Sequence, residues 1–306
     1  MNLQKTIKDN IELEGVGLHN GINVKLLIKP AKANYGIKFK RTDLEDFKNI
    51  VDANYKNVTS PILCTKIKNS QGISISTIEH LMAAFYGEGI DNVLVEVNAP
   101  ELPIMDGSAF DFVEAIRLVG TQEQEVPRKF IKVLKKVEIS EGNKKISIEP
   151  LSKDLIIDFE IIYNNPLIRT RRKEFRFSSS DLTSIYNSRT FCLYEDIDQI
   201  RSQGLAKGGS LDNAIVVKED KILNDDGLRH RHEFVEHKIL DCLGDLMLSE
   251  HRIFGHIKTS QGGHQLTNAL LREFLSNKSN WEFVSFDEKK KDHKDNTYVR
   301  PIAVNA

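Results

Sequence analysis

This sequence predicts an α+β fold, and three observations predict it. Short runs with apolar residues at every second position crowd residues 3–42 and return after 130. That is the period of half-buried strands. Longer proline-free runs, above all 234–248, carry apolar residues at helical spacing. Between these groups, residues 120–129 (Gly-Thr-Gln-Glu-Gln-Glu-Val-Pro-Arg-Lys) are polar and show neither pattern, which marks a boundary. A chain of 306 residues suits one large domain or two ordinary ones, and the boundary favours two, 1–124 and 125–306.

Taken in order, Ile11-Glu-Leu-Glu14, Val24-Lys-Leu-Leu-Ile-Lys29 and Gly36-Ile-Lys-Phe-Lys40 read as strands. Gly15-Val-Gly-Leu-His-Asn-Gly21 joins the first two. Its glycines do not fit G-x-G-x-x-G and no helix follows, so it reads as a hairpin rather than a dinucleotide fingerprint. His19 lies in that turn, where a histidine is usually a polar loop residue. A strand at 72–76 leads into a helix beginning at Ser76. Ser76-Thr-Ile-Glu79 has the form of a capping box, in which Glu79 reaches back to a backbone amide. A strand at 92–97 and a turn-rich loop follow, and Ser108 caps a helix to 118.

The second half opens with strands at 131–137, 145–148 and 155–163. Arg169-Thr-Arg-Arg-Lys-Glu-Phe-Arg-Phe177 is basic and alternating, a solvated face rather than a phosphate-facing rim. A polar helix at 196–203, a glycine-rich stretch at 204–210, a strand at 213–217 and a turn at 224–227 precede the helix 234–248. A strand at 253–258 follows, and Ser260-Gln-Gly-Gly-His264 leads into a helix at 266–275. The tail 287–296 is charged and expected to lack structure.

Composition narrows the function. Lys and Arg number 43 against 44 Asp and Glu, without the basic excess of a nucleic-acid protein. Cys64, Cys192 and Cys242 are far apart and form no C-x-x-C pair, which suits a reducing, cytoplasmic compartment. No signal-peptide pattern opens the sequence. No run of about 18 apolar residues predicts a membrane span, while peripheral contact with the inner face of a membrane stays open.

The stretch richest in chemistry is the helix 234–248. His237, Asp241 and Asp245 stand at i, i+4 and i+8, one stripe on the side opposite Val235, Ile239, Leu243, Leu246 and Met247. An ordinary solvated face looks the same. A metal site needs partners, and His80 supplies a third ligand. His80, His237 and Asp241 would leave a fourth zinc position open, the catalytic arrangement. Glu79 is then the candidate base and His264 the candidate acid. Spacing alone does not bring these segments together.

Longer motifs do more. Gly15-Val-Gly-Leu-His-Asn-Gly21, Ser76-Thr-Ile-Glu-His-Leu81, Gly89-Ile-Asp-Asn-Val93, Val97-Asn-Ala-Pro-Glu101 and Pro103-Ile-Met-Asp-Gly-Ser-Ala109 come first. Arg189-Thr-Phe191, Leu223-Asn-Asp-Asp-Gly-Leu-Arg229, His237-Lys238, Leu240-Asp241, Gly244-Asp245 and Gly263-His264 follow. With this set the chain resembles the UDP-3-O-acyl-N-acetylglucosamine deacetylases, zinc amidases of lipid A (lipopolysaccharide) biosynthesis.

The resemblance implies two domains of like topology, each a β-sheet layer packed on helices, with the active site between them. It implies Zn2+ on His80, His237 and Asp241, Glu79 as general base, His264 as general acid and Asp245 orienting His264. Thr190 would polarise the scissile carbonyl. Lys238 would contact the sugar nucleotide, Phe191 would line the entrance, Tyr163 would lie near the uridine, and His19 is counted among the substrate contacts. The substrate implied is a UDP-sugar carrying one acyl chain, hydrolysed at its N-acetyl group, with no obligate protein partner. Two rivals stand beside this: a different zinc amidase, against which the absence of H-E-x-x-H counts for peptidases, and a non-catalytic sugar-nucleotide-binding protein.

Overall fold

A computed structural model describes residues 3–45, 48–59, 62–286 and 300–301. The charged tail 287–296 lies outside the described residues. The first half begins with β1 (Leu3–Ile7), β2 (Ile11–Val16), β3 (Asn23–Pro30), β4 (Ile37–Arg41) and β5 (Ile50–Asp52). Short strands β6 (Ile67–Lys68) and β7 (Ser74–Ile75) precede α1 (Glu79–Glu88), then β8 (Val93–Val97), α2 (Phe110–Val119) and β9 (Thr121–Pro127). The sheet order is β2-β3-β8-β4-β5, with β4 and β8 its parallel pair. Its inner face is legible as alternation: Val24, Leu26 and Ile28 of β3 are buried while Lys25 points out.

The second half contains β10 (Phe130–Val133), β11 (Val137–Glu141), β12 (Lys144–Pro150), β13 (Leu155–Ile162) and β14 (Thr170–Arg176). Next come α3 (Thr183–Tyr186), β15 (Phe191–Leu193), α4 (Ile197–Ser202), β16 (Ile215–Lys218) and β17 (Lys221–Ile222). It closes with α5 (Glu233–Met247), β18 (Arg252–Ser260), α6 (His264–Ser276), β19 (Trp281–Ser285) and β20 (Arg300–Pro301). β18 is the spine of this larger sheet. Its first three residues pair with β10, its later ones pair with β12 on one edge and β13 on the other, and β14 extends β13. Mixed sheets packed on helices give the α+β fold that the sequence predicts.

Three local expectations fail for identifiable reasons. Residues 121–127 form β9, antiparallel to β1, rather than a patternless link. The partner strand β1 turns polar side chains inward, with Gln4 donating to Asn34 and Thr6 to the Asn92 carbonyl, so the ladder forms without an apolar period in β9. The strand expected over 131–137 is split between β10 and β11, because the Leu134 and Lys135 amides turn to the Asn280 carbonyl. The helix expected from Ser76 starts at Glu79 instead. Thr77 has φ 58°, a left-handed conformation that no α-helix continues through. No capping box forms, since the Ser76 amide and hydroxyl both donate to the Pro100 carbonyl.

The two halves meet along α1 and α5, and one continuous apolar cluster runs from Ile7 to Trp281. Gly244 sets their approach: a Cβ there would lie 2.0 Å from the Glu79 carbonyl oxygen. Asp91 ties the same junction. It accepts from Arg128 at 2.6 Å and from Arg252 at 2.6 Å, and Arg252 also donates to the Phe85, Tyr86 and Ile90 carbonyls at the end of α1. The basic strand β14 is answered by carboxylates, with Arg172 on Asp158, Lys173 on Glu236 and Arg176 on Asp154.

Candidate functional site

The polar stripe of α5 is buried, not solvated: His237, Asp241 and Asp245 are 1%, 5% and 3% exposed. α1 covers that side, and it is itself buried from Glu79 to Tyr86. Two helices that each bury polar residues must satisfy them against one another, because an unpaired buried charge is costly.

His80, His237 and Asp241 offer donor atoms all within 4.8 Å of one another. Asp241 Oδ1 lies 3.6 Å from His80 Nε2 and 3.5 Å from His237 Nε2. The two rings stand edge to face, with centroids 5.1 Å apart. His237 Nδ1 lies 3.0 Å from the Ser188 carbonyl, which can only accept, so Nδ1 carries the proton and Nε2 keeps a lone pair. Burial pulls the His237 pKa down to about 3, against the pull of Asp241, which keeps the imidazole neutral and ligand-competent. Burial works against the Asp241 carboxylate, but charged and hydrogen-bonding neighbours, the Lys238 ammonium among them, hold its pKa well below the usual range. Two imidazole nitrogens and a carboxylate oxygen, converging in a buried space, fit a divalent metal of the zinc type.

A second group adjoins the first. His264 sits at the first position of α6, and its Nδ1 lies 2.8 Å from Asp245 Oδ2. A carboxylate accepts, so Nδ1 donates and Nε2 faces the site, 3.7 Å from Glu79 Oε1 and 4.0 Å from Asp241 Oδ2. Burial opposes charge on His264, yet Asp245 and Glu79 raise its pKa to about 10, so it is an imidazolium at neutral pH. Burial raises the Glu79 pKa, and His264 and His80 pull it back. Glu79 Oε2 accepts from the Thr65 amide at 2.9 Å. Thr65 and Ser188 were not singled out from the sequence: their partners stand 14 to 199 residues away, and no short motif records such contacts.

Of the remaining expected residues, Phe191 and Lys238 border this centre. Phe191 lies 6.3 Å from the His237 ring and 5.6 Å from Tyr163, centroid to centroid. Lys238 donates to Asp241 Oδ2 at 2.9 Å and stands 5.7 Å over Phe191. Thr190 is fixed through its backbone, its amide donating to Gly107 and its carbonyl accepting from Ile215, both at 2.8 Å. Arg189, beside it, is buried in an ion pair with Glu233 at the start of α5, which ties this segment to the helix.

His19 is set apart from the cluster. Its Nδ1 accepts from the Ala206 amide at 3.4 Å, and its buried Nε2 has no hydrogen-bond partner among the described residues. Its link to the centre is indirect: Glu101 accepts from the His19 amide and from Thr77 Oγ1, two residues before Glu79.

An α+β frame with buried donors able to hold a metal ion, flanked by a carboxylate and a charged imidazole, defines a protein with a metal-capable centre. The family model described as UDP-3-O-acyl N-acetylglycosamine deacetylase matches residues 4–276. A UDP-3-O-acyl-N-acetylglucosamine deacetylase of Haemophilus ducreyi is 45% identical over 289 residues, covering 93% of this chain and 94% of the relative. The protein of the same name from Haemophilus influenzae is 43% identical over 304 residues, covering 98% of each, and that of Shewanella violacea is 44% identical over 290 residues. The chain belongs to the UDP-3-O-acyl-N-acetylglucosamine deacetylase family.

Proposed function

We propose that the protein is a zinc-dependent amidase that removes the N-acetyl group of UDP-3-O-acyl-N-acetylglucosamine in lipid A synthesis. The products are acetate and UDP-3-O-acyl-glucosamine. The observation that carries this is the convergence of His80, His237 and Asp241 on one buried point with Glu79 and His264 beside it. His80, His237 and Asp241 would hold the zinc, which would supply Lewis acidity for water activation and carbonyl polarisation. Glu79 takes the proton of the attacking water as the new C–O bond forms. Thr190 donates to the developing oxyanion. His264, held protonated by Asp245, gives its Nε2 proton to the leaving nitrogen as the C–N bond breaks. Lys238, Phe191 and Tyr163 form the adjoining wall for the sugar nucleotide, and His19 contacts the substrate from the 15–21 turn.

We further read residues 1–124 and 125–306 as two domains of like topology with the site between them, supported by one principal sheet on each side of that boundary. A cytoplasmic location is supported by three free cysteines, and no helix among the described residues is long and apolar enough to cross a membrane. Product analysis with synthetic UDP-sugars of differing acyl length tests the reading. Stoichiometric acetate and a free-amine product are expected. Tight substrate binding without acetate release would leave a sugar-nucleotide-binding protein instead.

A further inference from the structure

We propose that Thr65 is a positioning residue that sets both proton-handling groups of the site. Its hydroxyl acts on His264 through Asp245, and its backbone amide acts on Glu79. The inference rests on the amidase reading above and adds a residue to its machinery.

The hydroxyl stands 2.5 Å from Asp245 Oδ1 and 3.0 Å from His264 Nδ1. Asp245 Oδ2 already accepts from His264 Nδ1 at 2.8 Å. An ionised carboxylate only accepts, so the hydroxyl proton goes to Oδ1, and both oxygens of Asp245 are engaged. A carboxylate held at one oxygen turns readily, because its terminal torsion is broad. Held at both, it fixes the plane of the imidazole that leans on it. His264 Nε2 is thereby aimed at the Glu79 and Asp241 carboxylates. Thr65 is 1% exposed, so no bulk water competes for the hydroxyl.

The amide completes the arrangement. It donates to Glu79 Oε2 at 2.9 Å, which leaves Oε1 as the oxygen nearer His264 Nε2. One residue thus orients the acid from its side chain and the base from its backbone. The two contributions are separable, since valine has nearly the shape of threonine, keeps the amide and lacks the hydroxyl.

The test compares Thr65→Val and Thr65→Ser in the metal-loaded enzyme. Losing a hydrogen bond to a charged group is expected to lower kcat about 10- to 100-fold in Thr65→Val, with KM and metal content unchanged. Thr65→Ser, which keeps the hydroxyl, is expected to stay near the wild-type rate. A second readout is the Nδ1–H resonance of His264 in protein with isotope-labelled histidine, which should persist in Thr65→Ser and shift or broaden in Thr65→Val. Wild-type kcat and an unchanged resonance in Thr65→Val would overturn the proposal. Should Thr65→Val fail to fold, Thr65→Ala against Thr65→Ser asks the same question, and equal rates in that pair would overturn it. A wild-type protein that releases no acetate would refute the amidase reading alone. The resonance would still decide whether the hydroxyl positions His264.

Discussion

At the scale of single residues, Glu79 separates two readings that share one motif. As a capping residue it would tolerate glutamine, since Gln serves a capping box too. The structure removes that role: the Glu79 carboxylate accepts from Thr65, and Ser76 bonds to Pro100. Glu79→Gln is therefore expected to keep the fold and the metal while kcat falls roughly 10²–10⁴-fold, the range for losing a general base. Turnover near wild type, measured beside metal content and melting temperature on one preparation, would contradict it. His264 gives a pH signature. If Glu79 is the base and His264 the acid, kcat/KM should rise through the raised Glu79 pKa and fall as His264 deprotonates near pH 10. His264→Ala should remove the alkaline limb, and a retained limb in an active variant would take His264 out of the acid role. Sequence reasoning reached His80, His237, Asp241, Glu79 and His264 because motif and helical spacing record them. It could not reach Thr65, whose bonds to Asp245 and His264 span 180 and 199 residues.

At the scale of elements, α5 was legible almost to the residue, expected over 234–248 and found at Glu233–Met247. Its apolar spacing and lack of proline suffice for that. The fate of its polar stripe was not legible, because a stripe buried against α1 and a stripe facing water have the same period. Gly244 is where the two helices decide the matter. Glycine to alanine inside a helix ordinarily gains up to about 1 kcal/mol. Here the added Cβ meets the Glu79 carbonyl at 2.0 Å, and both backbones must part. Overpacking of that kind costs about 1–3 kcal/mol, so the net sign should be destabilising. Gly244→Ala is expected to lower the melting temperature and to weaken metal retention, since α1 carries His80. A rise in melting temperature with full metal content would show that the helices yield without cost. β9 was missed for a complementary reason: with polar groups such as Gln4 and Thr6 on the inward side of its partner β1, a strand can pair through its backbone alone.

At the scale of the whole molecule, the α+β class follows from element patterns, whereas the way the halves lock together does not. Asp91 lies just before β8, Arg128 within the polar segment 120–129 and Arg252 far beyond it. Both guanidiniums are buried, so removing their shared carboxylate leaves two charges without their main partner. Asp91→Ala is expected to destabilise the protein by about 3–5 kcal/mol, read as a shift in denaturant midpoint. A shift within the error of the midpoint would mean that the carbonyls of α1 satisfy Arg252 unaided. The account as a whole turns on a metal held between α1 and α5 that serves amide hydrolysis. The most direct measurement follows zinc content and acetate release together, on UDP-3-O-acyl-N-acetylglucosamine, through chelation and zinc readdition, for the wild type and His237→Ala. The account predicts that acetate release in the wild type falls with zinc and returns with it, and that His237→Ala neither retains zinc nor releases acetate. Undiminished acetate release from chelated protein, or full zinc occupancy in His237→Ala, would contradict it.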